Sequence, residues 1–488
     1  MTSEERRPVI IGVGQLRSNR EKSLNAAREP ADLIVEALRR AAADSGAGER
    51  ILQRAERLDI VRVLAWAYDD LPGVVAGQLG ITPREAEHSE VGGNQPPKLV
   101  DDAARRIAAG ELDVALVAGA EAGASVSAFA QAGIEPPWTR QPGGPVRFGR
   151  ELAGTELVIK HNLTRPIRAY PLYENGLRAS LGQTYEESQQ WSAEIYSRFS
   201  AVAAANDAAW NTSPLSPVDI ATVTPRNRMI CFPYPLLMNA LGAVDQAAAV
   251  IVTSYSVALD LGVAPDRMVH VWGGAGGMDS RDILSRVAYD RAPAMAAALS
   301  TTLDQAGIGI DAVDVVDLYS CFPCVPKLAS LTLGLPPDHP MSITGGLTAF
   351  GGPGNNYSTH AIVATARRLR DGRSVGLVYG NGELVTKHHA LLLGADAHPG
   401  GYVGRPDPVA PPTKPPPPPI RPEATGAAVV ETYTVEYDRG GEPSRGFVIG
   451  RLDDGARFVA NTPDGDPASL AGFVDPHREA VGRGGQVV

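Results

Sequence analysis

One arrangement of helix, strand, glycine loop, helix and strand occurs twice in this chain, and that repeat narrows the possible folds more than any other feature. In the first copy Pro30 opens a helix, ADLIVEALRRAAADSG, whose apolar positions Leu33, Ile34, Ala37, Leu38 and Ala41 form one stripe that stops at Gly46. It follows a short β-branched run, PVIIGV, that reads as a buried strand. LDIVRVL is the next strand. VGGNQPPK then brings Gly92, Gly93 and Asn94 to the mouth of a helix ending at Ala109, and Asp113 to Ala118 is a further strand. In the second copy the helix runs from Pro293 to Gly307 and the strand from Val313 to Leu318. FGGPGNN opens a helix from Tyr357 to Leu369, and VGLVY is a strand closed by Gly380. The pairs Gly46 and Gly307, Gly92 and Gly351, and Gly119 and Gly380 all lie about 260 residues apart. The chain therefore reads as α/β, two βαβ-rich halves derived by internal duplication.

The repeat also sets the boundaries. The N-terminal half spans 1–265 and the C-terminal half 266–404. Residues from about 120 to 228, rich in Pro, Trp and Tyr and with a helix near Glu186 to Ala205, have no counterpart, so they form an inserted loop subdomain. RPDPVAPPTKPPPPPIRP makes 405–423 a stiff polyproline linker. From 424 to 488 the hydrophobic period falls to two and DRGGE, LDDG and TPDG supply turns, which predicts a small antiparallel β-barrel domain.

Composition excludes more than it identifies. A net charge of −10 without Lys/Arg runs gives no footprint for nucleic acid or an anionic membrane. No apolar run is long enough to span a bilayer, and the start MTSEERRPVIIGVG lacks a signal-peptide core. Three cysteines make no disulfide framework, so a reducing cytoplasm is the expected compartment.

Four loops should meet where the halves pack: Gly92 to Pro97, Leu318 to Cys324, Phe350 to His360, and Gly380 to His389. Glycines at a helix mouth leave N–H groups free to hold an anion or an oxyanion, though the same glycines also serve tight packing of helix on sheet. Tyr319, at a strand end, is placed to orient a carbonyl or donate a proton, or simply to line a pocket. His360, one turn into its helix, is the second catalytic candidate, against a structural role. Cys321 and Cys324 form a C-x-x-C, readable as a redox or metal pair or as two buried thiols; Pro323 inside it and the lack of a second pair favour the thiols. Lys387 is positioned for a phosphate or for the rim. His388 and His389 are adjacent and so face opposite ways, which is no metal site.

ELDVALVAGAEA, GAVDQAAAVIVTS, VVDLYSCF and GGLTAFGGPG, with the duplicated halves, resemble the thiolase superfamily over residues 5 to 395. The resemblance is nearest to the sterol-carrier-type thiolases, and SCFP, FGGPGNNY and GNGELVTKH with an extra C-terminal β domain are most like the bacterial thiolase-like proteins of type 1. It implies a duplicated five-layered αβαβα fold and a ligand pocket of Gln95, Cys321, Gly352, Asn355, Asn356, Asn381 and His388. It also implies that the machinery is gone. Gln95 stands where a thiolase has its nucleophilic cysteine, Gly352 where it has the histidine of its GHP loop, Tyr319 in the NEAF/HDCF position, and Val378 near the acid/base cysteine. Thiolysis and Claisen condensation by the two-cysteine route are expected to be absent.

The resemblance leaves open an acyl-CoA-binding protein of lipid metabolism without chemistry, or a Tyr319-dependent aldol-lyase-type enzyme on a β-hydroxyacyl-CoA. An acyl-CoA thioester would be ligand or substrate, with no cofactor or metal. The superfamily default is a homodimer, whereas the type 1 group implies a monomer.

Overall fold

The structure is a computed structural model that describes residues 4–146, 154–411, 416–463, 465–475 and 479–487. Part of the inserted subdomain (147–153) and of the proline-rich stretch (412–415) lies outside the described residues. In chain order the strands begin with β1 (Pro8–Arg17), β2 (Arg57–Ile60), β3 (Glu85–His88) and β4 (Val114–Ala122). Next come β5 (Met229–Cys231), β6 (Tyr234–Pro235), β7 (Asp245–Ser254) and β8 (Val269–Met278). They continue with β9 (Val315–Leu318), β10 (Val375–Gly382), β11 (Lys387–Gly394) and β12 (Arg405–Val409). The last four are β13 (Gly426–Tyr437), β14 (Pro443–Leu452), β15 (Arg457–Asn461) and β16 (Gly484–Val487).

The two halves share one sheet of order β3-β2-β4-β7-β1-β8-β11-β10-β9, joined where Val9 and Ile10 of β1 pair with His270 and Val269 of β8. Each half repeats one packing device. A Cβ at Gly12 or Gly14 of β1 would stand 2.1 or 2.2 Å from a carbonyl oxygen of the Pro30–Asp44 helix, and one at Gly277 of β8 2.2 Å from a carbonyl of the Pro293–Ala306 helix. Glycine is what lets these outer helices lie directly on their strands.

Between the halves lies a central layer made by the helices Gln95–Ala109 and Tyr357–Arg370. Val100, Ala103 and Ala104 of the first and Ala361, Ile362 and Ala366 of the second are buried between Val13, Val117 and Val250 on one side and Val271, Val378 and Leu391 on the other. The order of layers is thus helix, strand, helix, strand, helix, the αβαβα arrangement. Helices cover both faces of each strand layer, which explains why the strands of both halves read as continuous hydrophobic runs instead of alternating.

The inserted region is helical where described, with Pro166–Ser180 and Tyr185–Ala204 its longest helices; the latter starts at a capping box between Thr184 and Glu187. Arg405–Val409, at the start of the proline-rich stretch, is itself a strand, β12, on β8.

The C-terminal region corrects one expectation. It forms an open antiparallel sheet, β15-β14-β13-β5-β6 with β16 also on β13, and no closed barrel is present among the described residues. The reason lies outside the region. β13 spends one edge on β14, and its other edge is divided between β16 and β5, whose Cys231 pairs with Glu436. Strands from the thiolase half therefore occupy the edge that closure would have used. The sheet also docks through polar groups: Asn175 Nδ2 donates to Tyr433 O (2.9 Å), Thr434 Oγ1 to Phe232 O (2.8 Å), and Arg168 pairs with Glu436 (2.7 Å).

Candidate functional site

The four loops named from the sequence do meet, backbone against backbone. A Cβ at Gly380 would stand 2.7 Å from Gly93 O, and one at Gly382 2.3 Å from Asn94 Oδ1. Ser358 Oγ donates to Gly93 O (2.8 Å), and Asn355 Oδ1 accepts from Gly92 N (2.9 Å). At Gly93 itself a Cβ would lie 2.4 Å from the Tyr319 hydroxyl oxygen, so the phenol ring occupies the space that any larger residue would need.

Tyr319 follows β9, its N–H donating to Tyr379 O (3.1 Å), and its ring meets Tyr357 edge-on with centroids 5.7 Å apart. Burial, reinforced by Cys321, holds its hydroxyl well above the ordinary phenol range. Gln95 is the first residue of the central helix, buried to within 6%. Among the described residues the Tyr319 hydroxyl and the Gln95 amide have no hydrogen-bond partner, and neither is fully sealed from solvent.

Of the other candidates, Asn355 and Asn356 are bonded to the opposite half, whereas Asn381 Oδ1 and the Nε2 atoms of His360 and His388 are buried without a hydrogen-bond partner among the described residues. Asn355 Nδ2 donates to Arg62 O (2.7 Å) while its Oδ1 holds Gly92, so this one side chain ties the second half to two loops of the first. Asn356 Nδ2 donates to Gly119 O (2.7 Å). Gly352 N–H donates to Leu241 O (2.9 Å), and a Cβ there would meet Leu241 O at 3.3 Å, so the loop is seated on the 240–241 segment. Gly351 and Gly354 lie at positive φ, 117° and 53°, with Cβ positions 2.4 Å from Gln246 Oε1 and Glu121 Oε1. Glu121, which the sequence did not single out, is buried and accepts from Leu64 N and Ala65 N (2.7 Å each); burial pushes its carboxyl up to about 8.

Each of the three histidines, His360, His388 and His389, has one ring nitrogen engaged, the other being buried without a partner among the described residues. His360 Nδ1 lies 2.9 Å from Gln15 Oε1 and its ring packs edge-on against Phe350, so its contacts are with β1 and not with Tyr319. His388 Nδ1 lies 2.7 Å from the Tyr379 hydroxyl, whereas its neighbour His389 turns the other way to Asp101 (2.9 Å). Burial pushes both His360 and His388 down to about 3, leaving them neutral at pH 7. Lys387 is not an exposed rim charge. It is buried and paired with Glu90 (2.6 Å) and Glu383 (3.1 Å).

Cys321 and Cys324 are free, buried thiols. Asn381 Nδ2 approaches Cys321 Sγ (4.0 Å) and bonds the Tyr170 hydroxyl (2.9 Å). Burial pushes Cys321 up to about 12 and Cys324 well above the usual thiol value, so neither forms a thiolate at neutral pH. Among the described residues no cluster of His, Cys, Asp or Glu is arranged to hold a metal ion. Behind Cys324 the sequence reading missed a buried polar knot. Lys327 Nζ pairs with Glu174 (2.5 Å), which also accepts from Ser188 Oγ (2.8 Å) and Tyr234 OH (2.6 Å), and Tyr234 OH accepts from Cys324 N (3.1 Å). The signal was available as charged residues inside two mostly apolar helices, Arg168 and Glu174 in PIRAYPLYENGL and Lys327 in CVPKLASL.

A family model for the thiolase-like protein type 1 additional C-terminal domain matches residues 412–488. Among solved structures, the monomeric SCP2-thiolase-like protein type 1 of Mycobacterium smegmatis is 32% identical, covers 98% of this chain and 96% of its own, and has a TM-score of 0.82. The chain belongs to the thiolase-like proteins of type 1. No curated protein sequence matches it. Two further structures share the thiolase fold with this type 1 protein. They are the Ltp2–ChsH2(DUF35) aldolase (21% identity, 80% of this chain and 99% of that one, TM-score 0.61) and human mitochondrial 3-ketoacyl-CoA thiolase in complex with CoA (18%, 80% and 99%, 0.57).

Proposed function

We propose that this type 1 thiolase-like protein binds an acyl-CoA or a related acyl or ketone ligand and does not form an acyl-enzyme. The observation that carries the reading is Gln95 at the first position of the central helix. An amide there has no nucleophilic lone pair to offer an acyl carbonyl, and the nearby thiols and imidazoles are held neutral by burial. The Gln95 amide and the Tyr319 hydroxyl, both unpaired among the described residues, are offered as the ligand's hydrogen-bonding groups, alongside the unpartnered Asn381 Oδ1 and His388 Nε2. The CoA complex of the human thiolase on the same fold supports the ligand class. Calorimetry with CoA and octanoyl-CoA, run beside a thiolysis assay, tests this: saturable binding without turnover is expected, and acetoacetyl-CoA cleavage or a trapped acyl-enzyme would overturn it.

The free Tyr319 hydroxyl favours a second reading, an aldol-lyase-type reaction on a β-hydroxyacyl-CoA in which Tyr319 exchanges a proton with the ligand oxygen. The fold shared with an aldolase complex supports it. Turnover of a β-hydroxyacyl-CoA that survives Tyr319→Phe unchanged would remove it.

A further inference from the structure

His88, the last residue of β3, receives the Val63 N–H on its Nε2 (3.3 Å). Burial, with the neighbouring Arg62, pushes this histidine down to about 4, so near pH 7 the ring is neutral and carries one proton. A neutral ring accepts at one nitrogen only, so it can satisfy either Val63 N–H at Nε2 or Arg62 at Nδ1, and in the tautomer that serves Val63 the proton is on Nδ1. Nδ1 lies 3.4 Å from Arg62 Nη1, which is also a donor. In that tautomer two N–H donors face each other with no acceptor between them. Among the described residues the Arg62 guanidinium has no carboxylate in ion-pair reach.

These donors line a cavity of about 430 Å³ beside Val63, Trp66, Tyr68 and Pro142. Among the described residues most of the other polar groups of its wall are bonded within the protein, the Asp69 carboxylate at the rim excepted. Trp66 Nε1 donates to Thr139 O (2.7 Å), Tyr68 OH to Glu29 (2.8 Å), Ala67 N to Gly144 O (3.0 Å) and Gly143 N to Ala67 O (3.2 Å). Asp69 is exposed at the rim.

We propose that this cavity is a second ligand site, which takes an organic oxyanion, a phosphate ester or a carboxylate. One ligand oxygen bridges Arg62 Nη1 and His88 Nδ1–H, where a charge-assisted acceptor relieves the opposed donors. The organic part lies along Val63, Trp66 and Pro142. The space exceeds what an inorganic ion fills, which selects a ligand with an apolar body. The site also communicates with the loop of Gln95 through one residue: Asn355 holds Arg62 O with its Nδ2 and Gly92 N with its Oδ1. The proposal does not rest on the acyl-CoA reading.

Phenyl phosphate, phenylacetate and inorganic phosphate are titrated into the full chain, with NMR of the His88 ring nitrogens and calorimetry as readouts. At least one organic probe is expected to bind saturably, to shift the Nδ1 signal, and to bind more tightly than inorganic phosphate. Arg62→Met, checked for unchanged thermal unfolding, is expected to weaken it by at least about tenfold. Phenyl phosphate alone binding assigns a phosphate ester, and phenylacetate alone a carboxylate. The proposal is overturned if neither organic probe moves the His88 signal at millimolar concentration, if inorganic phosphate binds as tightly as both, or if Arg62→Met binds as the unaltered chain does. Should Arg62→Met fail to fold, the His88 shift in the unaltered chain still decides between these outcomes.

Discussion

The two helix mouths at the centre of the molecule come from the same ancestral loop and now do different work. At the second, Gly351 to Asn356, the side chains are spent on the other half: Asn355 holds Gly92 and Arg62, and Asn356 holds Gly119. At the first, Gly92 to Gln95, the Gln95 amide and the Tyr319 hydroxyl that crowds Gly93 are left unpaired among the described residues. One copy is a clamp, and the other is the one to which the proposed ligand is assigned. Duplication makes such a division possible, because a site between halves needs one loop rigid for the other to be presented.

The comparison breaks most easily at the clamp. Asn355→Ala leaves the Gly92 N–H and the Arg62 carbonyl unsatisfied and should cost about 3 kcal/mol in chemical denaturation. A loss no larger than that of a surface substitution would mean that the second mouth is no clamp. Gly93→Ala, whose new methyl would overlap the Tyr319 ring, should cost about 2 kcal/mol. Combining it with Tyr319→Ala should give less than the sum of the two single losses, since the pair shares one clash.

The wall behind the first mouth carries a pH signature. His388 is neutral in the fold, with a pKa of about 3, below its unfolded value of about 6.5. Its contribution is complete above pH 6.5 and is lost as the pH falls toward 3, because the unfolded chain binds the proton first. Unfolding free energy of the unaltered chain should therefore fall more steeply than that of His388→Phe, by about 1.4 kcal/mol per pH unit between pH 6 and 4. Titrating carboxyls cancel in this difference. Parallel curves would show His388 to be solvated.

The smallest effect on stability is expected at Tyr319, the proposed ligand contact. Tyr319→Phe removes a hydroxyl that bonds nothing in the described protein, so stability should move by less than about 0.5 kcal/mol. Ligand affinity or turnover should change instead. A large stability loss would make Tyr319 part of the clamp.

Element positions were legible because period and caps are local. Pro30, Pro293 and Gln95 open helices, and Gly110 and Gly307 close theirs in the left-handed conformation, as the residue types require. The convergence of the Gly92, Tyr319, Asn355 and Gly380 loops was also legible, since a duplicated βαβ unit can bury its two central helices in few ways. What local pattern could not reveal was the fate of polar atoms. Lys387 looks available in GNGELVTKHH, yet it is closed between Glu90 and Glu383, one of them almost 300 residues away in the chain. The open C-terminal sheet depends likewise on β5, which lies some 200 residues before β13.

The sequence by itself determined the duplicated α/β architecture, the family and the absence of a cysteine at position 95. These are properties of residue type and spacing along one strand or helix. Only the tertiary structure decided which side chains remain free. That the Tyr319 hydroxyl and the Arg62 guanidinium are left without a partner while Lys387 is ion-paired depends on groups drawn from distant parts of the chain, and burial sets the charge of groups such as His360 and Cys321.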